Sequence, residues 1–314
     1  MTKFQLYSLA VTLITFGLVI LGGVVRVTDS GLGCPDWPRC HGSFIPPAET
    51  EIWIEWSHRL VASVTGLLIF ILAVAAWRTQ RASKVIIGAA GASLVVLVVQ
   101  VILGAITVER ELPPEIVATH LVTGLALLAT LIVITVASFL EPRQQAAARN
   151  PSPLIPYIGV ALAVAISTMW LGAYMTESGA NFACDGWPRC NGAWIPDFNR
   201  LVAIHWTHRV LALALGISLA LLLLKERQFN APQKLAFQVT LATLALYAAQ
   251  VVIGAGNIWT DMSEATSIIH LAVGSGIWSA LVGLGIADFY GGHALGVSRA
   301  EEKGLRLRAP EATA

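Results

Sequence analysis

The feature that most constrains this chain is an apolar run of about 20 residues, long enough for a helix to cross a bilayer, that recurs along the whole sequence. In hydrocarbon every backbone N–H and C=O must find its partner within the protein, so such a run admits little but an α-helix. Eight spans are read, at about 5–27, 56–77, 84–108, 116–139, 155–175, 203–224, 234–258 and 264–288. Composition agrees, with 56% of the 314 residues hydrophobic and only 12% charged; a soluble domain carries about twice that charged share. The chain is therefore expected to be an all-α polytopic membrane protein of eight transmembrane helices in contact with lipid. Its net charge of +1 offers no footprint for nucleic acid. The first run follows MTKFQ directly and lacks a small-residue cleavage site, so it reads as a retained span. There is no Arg- and Ser-rich leader, which points to a bacterial or archaeal plasma membrane.

Lys and Arg beside the spans set the expected orientation. With the N-terminus in the cytoplasm, the inner segments collect every lysine and thirteen of the twenty basic residues. Arg26, Arg39, Arg59, Arg110, Arg189, Arg200 and Arg209 remain outside. Both termini are then cytoplasmic, and the two long loops at roughly 28–55 and 176–202 are extracytoplasmic.

The sequence is also duplicated. CPDWPRC (34–40) matches CDGWPRC (184–190) at an offset of 150, and the same offset relates EWSHRLVA (55–62) to HWTHRVLA (205–212). It also relates QVILGA (100–105) to QVVIGA (250–255) and THLVTG (119–124) to IHLAVG (269–274). TDSG (28–31) pairs with TESG (176–179) at 148. Each half has an even number of spans, so the repeat is parallel, two four-helix bundles related by a pseudo-two-fold axis along the membrane normal. The expected units are 1–150, 151–290 and a cytoplasmic polar tail, 291–314.

Four of the seven histidines repeat, His58 with His208 and His120 with His270. Each sits near the outer end of its span, within the first two turns as the spans are drawn, so the two of one half should lie at similar depth on two helices. Bis-histidine ligation of haem suits that arrangement: the flat macrocycle sits between helices with one imidazole on each side of the iron. Arg59 and Arg209, directly after two of the histidines, are available for its propionates. Zinc would want a third protein ligand, and histidines capping helix ends at the interface are the plainer alternative. His41 and His293, in a loop and the tail, read as solvent-facing.

The halves differ at one position. The first has Glu55-x-x-His58 and the second His205-x-x-His208. Residues at i and i+3 share a helix face, so Glu55 should point toward whatever His58 binds, where a carboxylate can take a proton. The competing reading is an acidic residue at a helix N-terminus. His205 reads as an interfacial polar residue or a spare ligand. The cysteines are separated by five residues, unlike the C-x2-C pattern of zinc and redox motifs. In an oxidising compartment a disulfide across each loop, Cys34–Cys40 and Cys184–Cys190, is the simplest reading; a redox role for the first pair stays open. Each loop is expected over the outer mouth of one site, with Trp37 or Trp187 and Arg39 or Arg189 as lid contacts.

EWSHR, THLVTG, HWTHR, IHLAVG and the paired WPRC loops, in this order over about residues 5–290, resemble the haem A synthase family. The resemblance implies an oxidoreductase that oxidises the C8 methyl of haem O to the formyl group of haem A, through hydroxylated intermediates, for cytochrome oxidase biogenesis. It implies that His58 and His120 hold the substrate haem beside a catalytic Glu55, and that His208 and His270 hold a haem b cofactor. It further implies an electron acceptor that the sequence does not name, a partnership with the haem O synthase, homo-oligomers and a bacterial inner membrane. Two rivals are a di-haem b electron-transfer cytochrome linked to quinone and a repeat-built transporter. The cytochrome is disfavoured by the single Glu55 and by both pairs lying at the outer side. The transporter is disfavoured by spans without midplane breaks.

Overall fold

A computed structural model describes residues 1–140, 152–228 and 234–306, with the backbone alone for 234–235 and 291–306. Among the described residues there are eight long α-helices: α1 (Lys3–Val27), α2 (Thr50–Thr79), α3 (Lys84–Glu109), α4 (Pro114–Phe139), α5 (Ile155–Glu177), α6 (Arg200–Gln228), α7 (Lys234–Trp259) and α8 (Glu264–Arg306). All eight are long and apolar enough to span a membrane, so the chain is an all-helical multi-pass membrane protein. The boundary expected near residue 150 lies outside the described residues.

Local chemistry sets the helix starts. Thr2 and Gln5 form a reciprocal capping box on α1, Ser83 accepts from the Ile86 amide to open α3, and Pro113-Pro114 opens α4. Helices α2 and α6 begin about six and three residues before their apolar runs, because the turn ahead of each is amphipathic: Ile52 and Val202 pack on the disulfides beneath the loops. His58 and His208 therefore lie eight residues inside their helices, about 12 Å from the first residue, deeper than the two turns that hydropathy suggests. Helix α8 runs on past 288 to Arg306, so the expected polar tail is helical that far; its Ala, Leu, Glu, Lys and Arg are good helix formers. The side chain of His293 and residues 307–314 lie outside the described residues.

Helices α1, α4, α5 and α8 meet at the centre, α4 packing on α1, α5 and α8, and α1 also on α8. One apolar core joins Leu125 and Leu128 of α4 to Ile158, Leu219 and Ile277. A second joins Val11, Ile69 and Leu131 to Tyr290 of α8. The halves thus bury apolar surface against each other, and the Trp278 indole donates to the Leu125 carbonyl at 3.0 Å across that seam. At Gly23 of α1 a Cβ would overlap Leu271 of α8, so glycine permits this close crossing. Helices α2, α3, α6 and α7 turn large apolar side chains outward, among them Leu67, Phe70, Val98, Leu213, Ile217 and Val252, as lipid contact requires.

Candidate functional site

The four repeated histidines occupy four helices, and each ring lies against a glycine of the preceding helix. A Cβ on Gly22 of α1 would stand 3.2 Å from His58 Cε1, and one on Gly104 of α3 would stand 3.2 Å from His120 Cε1. In the second half the corresponding distances are 2.9 Å from Gly172 of α5 to His208 and 3.0 Å from Gly254 of α7 to His270. Any side chain at these positions would push on the imidazole, so the glycines fix where the rings can sit. The Nδ1 atoms of all four rings are buried without a hydrogen-bond partner, a costly condition for a polar group unless a ligand completes the site. In the second half His208 and His270 line one cavity. Among the described residues no group of three or more His, Cys, Asp or Glu stands ready for a bare metal ion. Paired imidazoles with glycine-cut space suit a planar metal macrocycle, which brings its own equatorial donors.

In the second half the pair opens on a cavity of about 550 Å³ lined by His205, His208, Gln250 and His270. Its end nearest the loop is polar, with Arg26, Asn181 and Asn257, and its deeper wall is apolar, with Ala165, Leu215 and Ile277. The glutamines of QVILGA and QVVIGA support the histidines differently. Gln100 Nε2 lies 3.2 Å from His120 Nε2, whereas Gln250 Nε2 donates to the His270 carbonyl at 2.9 Å.

The cysteines form the two expected disulfides, Cys34–Cys40 and Cys184–Cys190, with Cα atoms 4.7 and 4.6 Å apart. Each loop is clamped to the helix below by an arginine. Arg59 donates to the carbonyls of Cys34 (2.8 Å), Asp36 (2.7 Å) and Arg39 (3.1 Å), and Arg209 to those of Cys184, Gly186, Pro188 and Arg189 at 3.0–3.4 Å. These are the arginines expected to meet propionates. One residue on from a histidine is about 100° round the helix, and there each guanidinium meets the loop, while Arg209 also lines the second cavity. Tryptophans repeat the clamp, Trp56 donating to Phe44 and Trp206 to Trp194.

The lid contacts divide. Trp187 lines the second cavity and meets Trp259 edge-to-face at 6.2 Å. Arg39 and Arg189 lie instead over Phe44 and Trp194, each at 5.5 Å, and Trp37 is largely exposed. His41 bonds the Gly33 carbonyl at 2.9 Å rather than only solvent.

Glu55 is buried and accepts from Arg59 Nε at 2.7 Å. At the matching position His205, equally buried, bonds the Ala180 carbonyl through Nδ1 at 3.0 Å; it is not the interfacial residue expected. Sequence reasoning missed the four glycines, the two glutamines and Arg26. Gln100, Gly104, Gln250 and Gly254 lie inside a repeated motif already visible at offset 150, and Gly22 and Gly172 share that offset, so a search for repeated small and polar residues opposite the histidines would have found them.

Two tandem sets of membrane-spanning helices, each with a half-buried histidine pair and a disulfide-closed loop, define a polytopic membrane protein with two imidazole-bearing sites. Residues 5–282 match the model of a family described as cytochrome oxidase assembly protein. A heme A synthase of Symbiobacterium thermophilum is 32% identical over 295 residues, covering 90% of this chain and 94% of the relative. One of Alkalihalophilus pseudofirmus is 28% identical over 283 residues, covering 89% and 95%, and one of Halalkalibacterium halodurans 35% over 228 residues, covering 68% and 74%. The chain belongs to the haem A synthase family.

Proposed function

We propose that this chain is a haem A synthase, an oxidoreductase that converts the C8 methyl of haem O to the formyl group of haem A by successive hydroxylation, for cytochrome oxidase biogenesis. The observation that carries the reading is the pair of glycine-cut histidine sites, alike in ring placement yet with a carboxylate three residues before the histidine in only one, Glu55 against His205. His58 and His120 hold the substrate haem O. His208 and His270 hold a haem b, which supplies one-electron redox chemistry when bound and so a route for electrons toward an acceptor.

Oxidising a methyl group releases protons, and Glu55 is the base placed to take them. Arg59 Nε holds its Oε1, which orients the carboxylate and leaves Oε2 for a proton. That Glu55 faces the ligand of His58 is supported by the second half, where His205 lines the same cavity as His208. The arginine-clamped loops close the outer mouths and exclude water, which strengthens electrostatic interactions beneath them. The two halves are related by a pseudo-two-fold axis and form the units 1–150 and 151–290. The protein sits in a bacterial inner membrane with both termini cytoplasmic and the disulfide loops outside, works with a haem O synthase that supplies substrate, and assembles as a homo-oligomer.

A di-haem cytochrome uses the same histidine pairs, but an electron carrier across the bilayer would place its haems near opposite faces, and it gives Glu55 nothing to do. The test is expression with a haem O source, followed by chromatography and mass analysis of extracted haems. Hydroxylated and formyl haems are expected. Two bound b-type haems with neither product would overturn the synthase reading in favour of the cytochrome.

A further inference from the structure

We propose that Arg26, carried by α1 of the first half, anchors the carboxylate edge of the macrocycle held by His208 and His270 of the second half. The inference rests on the reading of that cavity as a haem site and names the residue that orients the ligand in it.

Arg26 lines the second cavity although its helix belongs to the other half. It is brought there by the close crossing at Gly23, which seats α1 against Leu271, the neighbour of His270. Three residues on, about one turn, Arg26 reaches the polar, loop-side end of the cavity. Its side chain has one partner among the described residues, Glu177, with Nε 3.1 Å from Oε1. That contact lacks hydrogen-bond geometry, so the buried Nε is left unpaired. Arg209 also lines the cavity, but its NH1 and NH2 groups are committed to four loop carbonyls. Arg26 has NH1 and NH2 groups without a hydrogen-bond partner among the described residues, whereas those of Arg209 are taken, and a guanidinium fork matches a carboxylate with two parallel bonds. The apolar wall of Ala165, Leu215 and Ile277 accepts the remainder of a flat, greasy ring. The ligand class is thus a planar macrocycle with acidic groups on one edge, and the second site is incomplete without a helix of the first half.

The test uses the full-length protein, purified from a haem-limited host, in a His58→Ala background so that binding at the second site is read alone. It is titrated with protohaem and with protohaem dimethyl ester, whose acidic edge is blocked. The expected result is binding of the free acid about 10- to 100-fold tighter than the ester, the range for a hydrogen bond to a charged group. Arg26→Gln should bring that ratio toward unity and lower the midpoint potential of the bound haem, since a nearby cation favours the reduced iron. Glu177→Gln, which removes the competing carboxylate, should preserve or raise the ratio. An unchanged ratio in Arg26→Gln overturns the proposal, as does an equal fall in Glu177→Gln, which would make the ion pair merely structural. If Arg26→Gln does not fold, a wild-type ratio near unity overturns it equally well. The underlying reading has its own control: His208→Ala and His270→Ala must lose this haem. Retention there defeats the haem site itself, whereas normal loss there with an unchanged ratio in Arg26→Gln defeats only the anchor.

Discussion

The two halves keep the same scaffold and differ in what can carry a proton. In both, a glycine cuts space for each histidine ring, and an arginine one residue after the α2 or α6 histidine ties down a disulfide loop. Where the first half has Glu55 on Arg59 Nε, the second has His205 on a backbone carbonyl. The helix ends Val27 and Glu177 and the short turns Ser30–Leu32 and Ala180–Phe182 keep the offset of 150, which sets Arg26 opposite the uncharged Thr176. Ring placement and loop closure are therefore shared requirements, whereas charge is assigned to one site at a time. On the proposed reading, the carboxylate three residues before His58 suits a site where protons leave, and His205 in its place suits a site that only holds a redox group.

The ligands test this division most severely. On the proposed reading, removing one of two ligating imidazoles would leave the haem with a single protein ligand. His208→Ala or His270→Ala should strip the resident haem, read as loss of its absorbance and of extractable haem b. His58→Ala or His120→Ala should keep that haem and abolish product. Product from either first-half variant at wild-type rate would break the assignment of substrate to that half.

Glu55→Gln is next. The amide keeps the shape and the acceptor toward Arg59 but cannot take a proton, so product formation should fall about 100-fold or more, the usual share of a general base. Haem bound at His208 and His270 should be unaffected. His205→Gln, at the matching position, should leave turnover largely intact. Equal losses in the two variants would mean that both positions serve packing alone.

A smaller effect is expected at the glycines. Gly172→Ala would put a methyl 2.9 Å from His208, against 3.2 Å for Gly22→Ala and His58. Overpacking of this kind costs about 1–3 kcal/mol, with Gly172→Ala the more disruptive. Gly17→Ala, on the same helix as Gly22 but with open space around it, is the control. Thermal unfolding and haem content measure all three; at Gly17 the better helix propensity of alanine should hold or raise stability, and a loss there equal to that at Gly172 would show that ring space is not what is being read.

Much of this was legible beforehand, for physical reasons. Apolar runs of bilayer length define the eight helices because nothing else satisfies the backbone in hydrocarbon, and the offset of 150 exposes the histidines and loops as pairs. Hydropathy began α2 and α6 too late because the turn that packs Ile52 or Val202 on a disulfide is amphipathic, so it looks like loop. The destinations of Arg59 and Arg209 were hidden because a side chain's partner depends on its angle around the helix and on how a loop folds back over it. Arg26 was hidden more deeply. It reaches the second site only because Gly23 lets α1 of one half cross α8 of the other, a contact between residues 248 positions apart.

The smallest difference lies in the loops and turns on pH. In the first loop the Asp36 carboxylate accepts from the backbone N–H groups of His41 (2.6 Å) and Gly42 (2.9 Å). In the second, the neutral Asn191 amide does the matching work, accepting from the Asp185 N–H at 2.8 Å. The Gly42 amide above all, then that of His41, holds the Asp36 carboxyl below its ordinary value. A depressed folded-state pKa contributes stability that is present above the unfolded value, about 4, and is lost as pH falls through the folded one. Acidification should therefore loosen the first loop and leave the Asp185 amide's protection in the second unchanged. Hydrogen exchange at the Gly42 and Asp185 amides, corrected for intrinsic rates, reads this directly. Asp36→Asn should remove the pH dependence while retaining much of the protection, because an amide oxygen can accept the same bonds, as Asn191 does. If both loops loosen together on acidification, the difference between carboxylate and amide is not what separates them, and the common clamp through Arg59 and Arg209 dominates.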